Sequence, residues 1–435
     1  MLDIGKVKEN IILKKGLYYF DFAASGLGYA PIEDELRKVL LTYANTHSKT
    51  SDNAIITSSY YDRSRELLKS LLGLDESFYL IATGTGSTAA IKKFQELMGI
   101  YIPPATKEFL NIDKQTLKNL PLVVISPYEH HSNEISYRHG LCEVARVRLD
   151  KNGRVDFEYL KSLLEQNRGR KIIASFSLVS NITGVITNYK KLYYLIKQYG
   201  GIVALDGASY LPYFNVSSIY FDALFISSHK LIGGVGGAGL LAIKKSLCKD
   251  DEPTFAAGGT VLYVDRQSEI FTPNVEELEE GGTPGILQLI RSYLAFKLRN
   301  DIGFDFIKRS LDELKEYLQE SLLKFNLLEL YGGDIKDRMP IFALNLKGVD
   351  VLVFSGILSQ KFGIQTRAGC ICAGPYLHDL LSFDDKTALK DKPSILRISL
   401  SYTHTKDDID YLIAAIKYII EKRGDIRFSQ GKYHC

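Results

Sequence analysis

The chain has 435 residues, 46% hydrophobic and 24% charged, the balance of a globular protein long enough for more than one core. Its 54 basic and 51 acidic side chains are spread along the whole length and leave a formal net charge of +3, so neither nucleic acid nor an anionic membrane is implied as a partner. No apolar run reaches the ~18 residues of a spanning helix and the opening MLDIGKVKEN lacks a signal-peptide layout, so a cytoplasmic protein is expected.

In chain order, apolar spacing predicts helices over Ile32–Ala44 and Tyr60–Leu72, then a strand at Phe78–Ala82 and a helix over Thr85–Met98. Residues 100–119 form a polar insertion with a Pro103-Pro104 break, to which the sequence assigns no role. Six more apolar runs predict strands: Leu122–Ser126, Val144–Arg148, Lys171–Phe176, Ile202–Asp206, Ala223–Ser227 and Gly239–Ile243. Helices over Asp156–Gln166 and Tyr189–Tyr199 lie between them, the second stopped by Gly200-Gly201. Strands this apolar imply a mostly parallel seven-stranded sheet with helices on both faces, an α/β fold. Later, long helices and sparser strands such as Ile341–Asn345 and Leu396–Leu400 imply a smaller C-terminal α/β domain. The expected division is a large domain at 29–290, a small one at 291–435, and an N-terminal segment, 1–28, packed on the small domain.

The most specific segment is Phe225-Ile226-Ser227-Ser228-His229-Lys230, followed by LIGGVGGAG. It sets a lysine at the end of a strand beside a Gly-rich turn, at the sheet edge where α/β folds bind ligands. A lysine desolvated there supplies a neutral amine, as a Schiff base to pyridoxal 5′-phosphate requires. Asp206 closes the preceding strand and would face the pyridine nitrogen, because a protonated ring is the better electron sink. Thr83-Gly84-Thr85-Gly86-Ser87-Thr88-Ala89 leaves a strand and opens a helix, offering Ser87, Thr88 and a helix N-terminus to a phosphate. The same segment fits the dinucleotide fingerprint G-x-G-x-x-A, so a nicotinamide-dependent oxidoreductase competes. That reading lacks its acidic ribose contact and leaves Lys230 unexplained. His130, in Tyr128-Glu129-His130-His131, can stack on an aromatic cofactor and shuttle protons, while no third ligand at metal spacing supports zinc. Asn181 follows another strand and could donate to the cofactor's phenolate. Five cysteines are too few for a disulfide scaffold; Cys142, Cys248 and Cys435 stand alone, and Cys370 and Cys372 form a C-x-C pair in a Gly-rich loop.

From YYFDFAASG (Tyr18–Gly26) to LRISLSYTHT (Leu396–Thr405), these segments resemble the class V aminotransferase superfamily of fold-type-I pyridoxal-phosphate enzymes. Within it they are most similar to the cysteine desulfurase and selenocysteine lyase group. The resemblance implies that Lys230 holds the cofactor, Asp206 pairs with its ring nitrogen and His130 stacks on the ring. Asn181 would contact the phenolate, and Ser87, Thr88, Ser227 and His229 would hold the phosphate. Thr283, in EEGGTPG, matches a threonine that reaches the phosphate of the other subunit, which implies a homodimer with shared active sites. Arg397 matches the arginine that takes the substrate α-carboxylate, for which a bidentate guanidinium is suited.

In the loop Thr366-Arg367-Ala368-Gly369-Cys370-Ile371-Cys372-Ala373-Gly374-Pro375, Cys372 aligns with the persulfide-forming nucleophile of desulfurases, and Arg367 supplies a nearby cation. Those enzymes carry Arg-Thr-Gly-His-His-Cys-Ala there, so Cys370 and Ile371 replace two histidines, and Ser209 replaces a usual glutamine beside the cofactor. The resulting expectation is sulfur removal from L-cysteine or selenocysteine, giving alanine and an enzyme persulfide that passes to a sulfur-acceptor protein. Three other readings stay open: a class V aminotransferase, epimerase or C–S lyase with a structural cysteine loop; the oxidoreductase; and a non-enzymatic sulfur-transfer scaffold.

Overall fold

The computed structural model describes the whole chain except residues 1, 49, 114–116, 385, 387–388, 390–391, 430–431 and 435. The lone Cys435 and part of the 100–119 insertion therefore lie outside the described residues. Seven strands form the central sheet: β1 (Phe78–Ala82), β2 (Leu122–Ile125), β3 (Glu143–Arg146), β4 (Ile172–Ser177), β5 (Ile202–Asp206), β6 (Ala223–Ser227) and β7 (Gly239–Lys244). Their spatial order is β1-β7-β6-β5-β4-β2-β3. Every pair is parallel except those of β7, which runs antiparallel to both β1 and β6. Thus only β7 is reversed, and the carboxyl ends of the other six strands share one edge.

The sheet is buried on both faces because successive side chains of an apolar strand point to opposite sides. Leu122 and Val124 enter one core with Ile172, Ala174 and Phe176; Val123 and Ile125 enter the other with Ile173 and Phe225. Two helices carry site residues: α1 (Ser87–Leu97), which follows β1, and α2 (His131–Arg138), which follows β2.

A hairpin, β8 (Val261–Val264) with β9 (Glu269–Phe271), projects after β7. A second, antiparallel sheet has the order β10-β11-β13-β12, from β10 (Leu328–Tyr331), β11 (Ile341–Leu346), β12 (Arg367–Gly369) and β13 (Ile395–Ser399). Its own core gathers Phe342, Leu344, Leu396 and Ile398 with Leu318, Phe354 and Ile416 from three long helices. Phe20 joins that core, its N–H donating to Gln365 O at 2.8 Å, whereas Val7, Phe22 and Ala23 belong to the first core. The N-terminal segment thus bridges the two layers and carries Asp21 between them.

The insertion after α1 contains a short helix, Pro104–Phe109, begun by Pro104 at a position where its missing N–H costs nothing. Among the described residues no helix is long and apolar enough to cross a membrane.

Candidate active site

The shared strand edge opens into a cavity of about 490 Å³. It is lined from the first sheet by Ser87, Thr88, His130, Asn181, Asp206, Ser209, Ser227, His229 and Lys230, and from the second layer by Arg367, Cys372 and Arg397. The topology therefore brings together every site residue singled out in the sequence except Thr283. That residue is exposed in a separate recess behind Gly84 and Lys92, where its hydroxyl accepts from Asn45 Nδ2 at 2.9 Å.

Lys230 ends a single 3-10 turn that follows β6. Burial pushes its ammonium down to about 8; Asp206 opposes that shift and Arg397 reinforces it. Its Nζ lies 3.4 Å from Ser209 Oγ. Asp206 is buried at the end of β5, and desolvation raises its pKa against the pull of the Ala208 N–H, 2.9 Å away, and of Lys230.

The turn into α1 is built for close approach. A Cβ on Gly86 would lie 2.8 Å from His229 Cε1 and 3.2 Å from Ser227 Oγ, so only glycine fits. Gly86, the N-cap, has no side chain to cap the helix; Ser227 Oγ takes the first N–H, that of Ser87, and the helix dipole with the surrounding hydroxyls is what the turn offers an anion. Ser227 Oγ bonds Ser87 N at 2.9 Å and Ser87 Oγ at 3.0 Å, and His229 Nδ1 bonds Thr85 O at 2.9 Å.

His130 caps α2, its Nδ1 accepting from Ser132 N at 3.1 Å. Burial, aided by Lys230, lowers its pKa to about 3, so the imidazole is neutral at ordinary pH and carries its proton on Nε2. Glu129, the residue before it, was not singled out in the sequence. It is 1% exposed and ties the end of β2 to the end of β4, accepting from Ser177 N at 2.7 Å, Ser177 Oγ at 2.6 Å and Asn133 Nδ2 at 2.8 Å. Burial raises its pKa to about 7 against those donors. The Glu129 network thereby fixes the strand end that presents His130.

On the other side of the cavity Arg397 sits in β13 directly opposite Arg367 of β12. Two cations at facing positions repel unless an anion joins them. Asp21 supplies part of that charge, 2.5 Å from Arg397 Nη2, and Nη1 donates to Asn181 O at 2.9 Å. Among the described residues Arg397 Nε is buried without a hydrogen-bond partner, as is Asn181 Oδ1. Asn181 Nδ2 donates to Ile371 O at 2.9 Å, which fixes the amide's orientation because a carbonyl only accepts. Asp21 is the second residue missed in the sequence; its motif, YYFDFAASG, was visible, but not its partner.

The site offers a lysine amine poised to lose its proton, a buried carboxylate, a helix start lined with hydroxyls, and a paired-arginine subsite with orphaned polar atoms. That donor set fits pyridoxal phosphate together with an amino-acid substrate. Among the described residues no group of three or more His, Cys, Asp or Glu could hold a metal ion.

The fold and site are those of a fold-type-I pyridoxal-phosphate enzyme. A solved cysteine desulfurase from Thermococcus onnurineus NA1 superposes with a TM-score of 0.81 at 21% identity, covering 97% of this chain and 99% of that one. A second, from Escherichia coli, gives 0.77 at 20% identity, with coverage of 97% and 99%. The "Aminotransferase class-V" family model matches residues 18–412, and the chain belongs to that family and is a pyridoxal-phosphate-dependent enzyme. Among curated relatives, a probable cysteine desulfurase from Halalkalibacterium halodurans is 26% identical over 420 residues, 94% of this chain and 95% of the relative. A cysteine desulfurase from Haloferax volcanii is 28% identical over 303 residues, 68% and 67% of the two chains.

Proposed function

We propose that this enzyme removes sulfur from L-cysteine, leaving alanine and a persulfide on Cys372, or selenium from selenocysteine, leaving alanine and the corresponding S–Se adduct on Cys372. The observation that carries this reading is that Cys372 lines the same cavity as Lys230 and Arg397. A nucleophilic thiol, a Schiff-base lysine and a carboxylate-binding arginine then face one substrate. The names of its relatives point the same way.

In this reading Lys230 would hold the cofactor through its amine and would move the proton at the substrate's Cα. Ser87, Thr88, Ser227 and His229 would hold its phosphate, His130, Ser209 and Asn181 would line its ring, and Asp206 would hold a proton at the ring nitrogen. The cofactor, when bound, withdraws electrons from the substrate's Cα. Arg397 takes the α-carboxylate with Arg367 beside it. The Cys372 thiolate attacks the substrate sulfur; the S–S bond forms as the Cβ–S bond breaks, and the bond's electron pair stays on carbon. Cβ then takes up one proton, balancing the proton the thiol lost, and alanine leaves. An acceptor protein would then draw the sulfur from Cys372. Thr283 would act on the phosphate site of a second copy in a homodimer, which explains its distance from the cavity of its own chain. The cytoplasm is the compartment we infer.

The direct test is to incubate the holoenzyme with L-cysteine and dithiothreitol and measure alanine and sulfide, expected in equal amounts. Wild-type enzyme that releases no alanine would overturn the desulfurase reading. Pyruvate in its place would mark a C–S lyase.

Two further outcomes follow from the site. Arg397→Ala should cost about 2–5 kcal/mol in kcat/KM, the range for truncating one member of a buried charged pair, with the visible spectrum unchanged. Arg397→Lys should recover only part of it, because an ammonium lacks the planar fork. Unchanged kinetics in both would mean that the carboxylate binds elsewhere. Cofactor uptake should depend on pH through Lys230. Its amine reacts only when neutral, so the rate of binding to apoenzyme should fall as pH drops below about 8 and level off above. Stopped-flow absorbance against pH would show a flat profile if another group limited the step.

A further inference from the structure

We propose that His131, the second histidine of the pair, is a positioning residue that clamps the cysteine loop and so aims Cys372. The loop has an unusual backbone. Ile371 has φ 43° and Cys372 has φ 56°, two successive non-glycine residues in the left-handed region. That conformation is unfavourable for any L side chain and most so for a β-branched one, so surrounding contacts must hold it.

Those contacts converge on α2. The His131 N–H, one of the free donors at the helix start, donates to Cys372 O at 2.8 Å. The His131 ring closes the other side, its Nε2 accepting from Gly374 N at 2.8 Å. Gly374 is the first residue of the helix Gly374–Leu381, so the imidazole satisfies a donor at the start of that helix as well. The approach is close: a Cβ on residue 374 would lie 3.2 Å from His131 Nε2. From the opposite side Asn181 Nδ2 holds Ile371 O, and the Ile371 side chain is buried in the main core. Cys372 is therefore gripped before, at and after its own peptide, twice by His131.

The clamp needs the neutral ring with its proton on Nδ1, since only a bare Nε2 can accept from Gly374 N. Burial holds the His131 pKa down; Glu134 raises it and Arg138 lowers it, both from its own helix. His130, 6.4 Å away between ring centroids, is neutral itself. Across the interface the loop brings Cys370, whose Sγ would lie 3.7 Å from a Cβ on Gly374, and Cys372. Among the described residues no carboxylate from the loop side is placed to pull a proton onto Nε2.

The consequence for turnover rests on Cys372 taking the sulfur; the clamp on the loop does not. The test therefore uses two readouts on the holoenzyme for wild type, His131→Ala and His131→Gln. The first is the rate of Cys372 alkylation by iodoacetamide, resolved from Cys370 by peptide mass spectrometry. The second is alanine release, with cofactor content and visible spectrum as controls. In His131→Ala the freed loop should expose Cys372, so alkylation speeds up several-fold. The kcat for alanine should fall roughly 10- to 100-fold, as for a small misplacement of a reacting group, with KM and spectrum unchanged. His131→Gln, whose Oε1 can accept from Gly374 N, should restore both. Wild-type alkylation in His131→Ala, lost cofactor in that variant, or a Gln variant as impaired as the Ala one would overturn the clamp. If wild type itself makes no alanine, the desulfurase reading falls, and the alkylation rates still decide the clamp.

Discussion

Lys230→Ala is expected to bring turnover to background, a loss of roughly 10³-fold or more, because in the proposed mechanism it removes a nucleophile and a proton-transferring base at once. The purified variant should be colourless or should lose its cofactor on gel filtration, since only non-covalent contacts, to the phosphate and the ring, would remain. The wild-type fold should survive: Lys230 makes one long hydrogen bond, to Ser209, and is no part of any of the three hydrophobic cores. Lys230→Arg is the informative companion. It keeps a cation near Asp206 but cannot present a neutral amine, so it should be as inactive as the alanine variant. A coloured, active Lys230→Ala protein would remove the lysine from the chemistry, and with it the assignment of the cavity as the active site.

How much of this was legible in the sequence depended on distance along the chain. All seven central strands stood out because each is a short, mostly apolar run closed by polar or glycine residues, and their predicted ends shift by one or two residues at most. The direction of β7 was not legible, since composition says nothing about whether a strand runs with or against its neighbours. The helix predicted at Tyr60–Leu72 in fact runs Asp52–Leu72. Its first turns, Asp52-Asn53-Ala54-Ile55-Ile56-Thr57-Ser58-Ser59, lack apolar spacing and are anchored instead by the buried Ala54 and Thr57. Residues at strand ends, Asp206 and Lys230 among them, were legible because a strand end fixes their place at the sheet edge. Long-range partners were not. Asp21 meets Arg397 across 376 residues and His131 meets Gly374 across 243, and a single sequence carries no signal for such pairs. Glu129 was in plain view beside His130, yet a buried carboxylate reads like any exposed one until its donors are seen.

Cys372→Ser separates the desulfurase reaction from every other chemistry open to a pyridoxal-phosphate site. Transamination, epimerisation and elimination need Lys230 and the cofactor but no thiol. Sulfur transfer to the enzyme needs one, because the substrate sulfur must be attacked as its bond to Cβ breaks. A serine hydroxyl is close in size and should leave the left-handed loop, its bonds to His131 and the cofactor spectrum intact, yet its oxygen is a poor nucleophile toward sulfur and is not ionised at neutral pH. Alanine release should therefore fall by at least roughly 10²-fold while cysteine still perturbs the visible spectrum. Cys370→Ser should be milder, because Cys370, though half-buried in the same loop, does not line the cavity. A loss there as deep as at Cys372 would instead indicate that sulfur moves through a Cys370–Cys372 disulfide. Alanine, sulfide and pyruvate should be followed together in wild type and both variants. Full alanine release by Cys372→Ser would refute the persulfide step; pyruvate with sulfide, indifferent to either cysteine, would make the enzyme a C–S lyase whose cysteine loop only shapes the pocket.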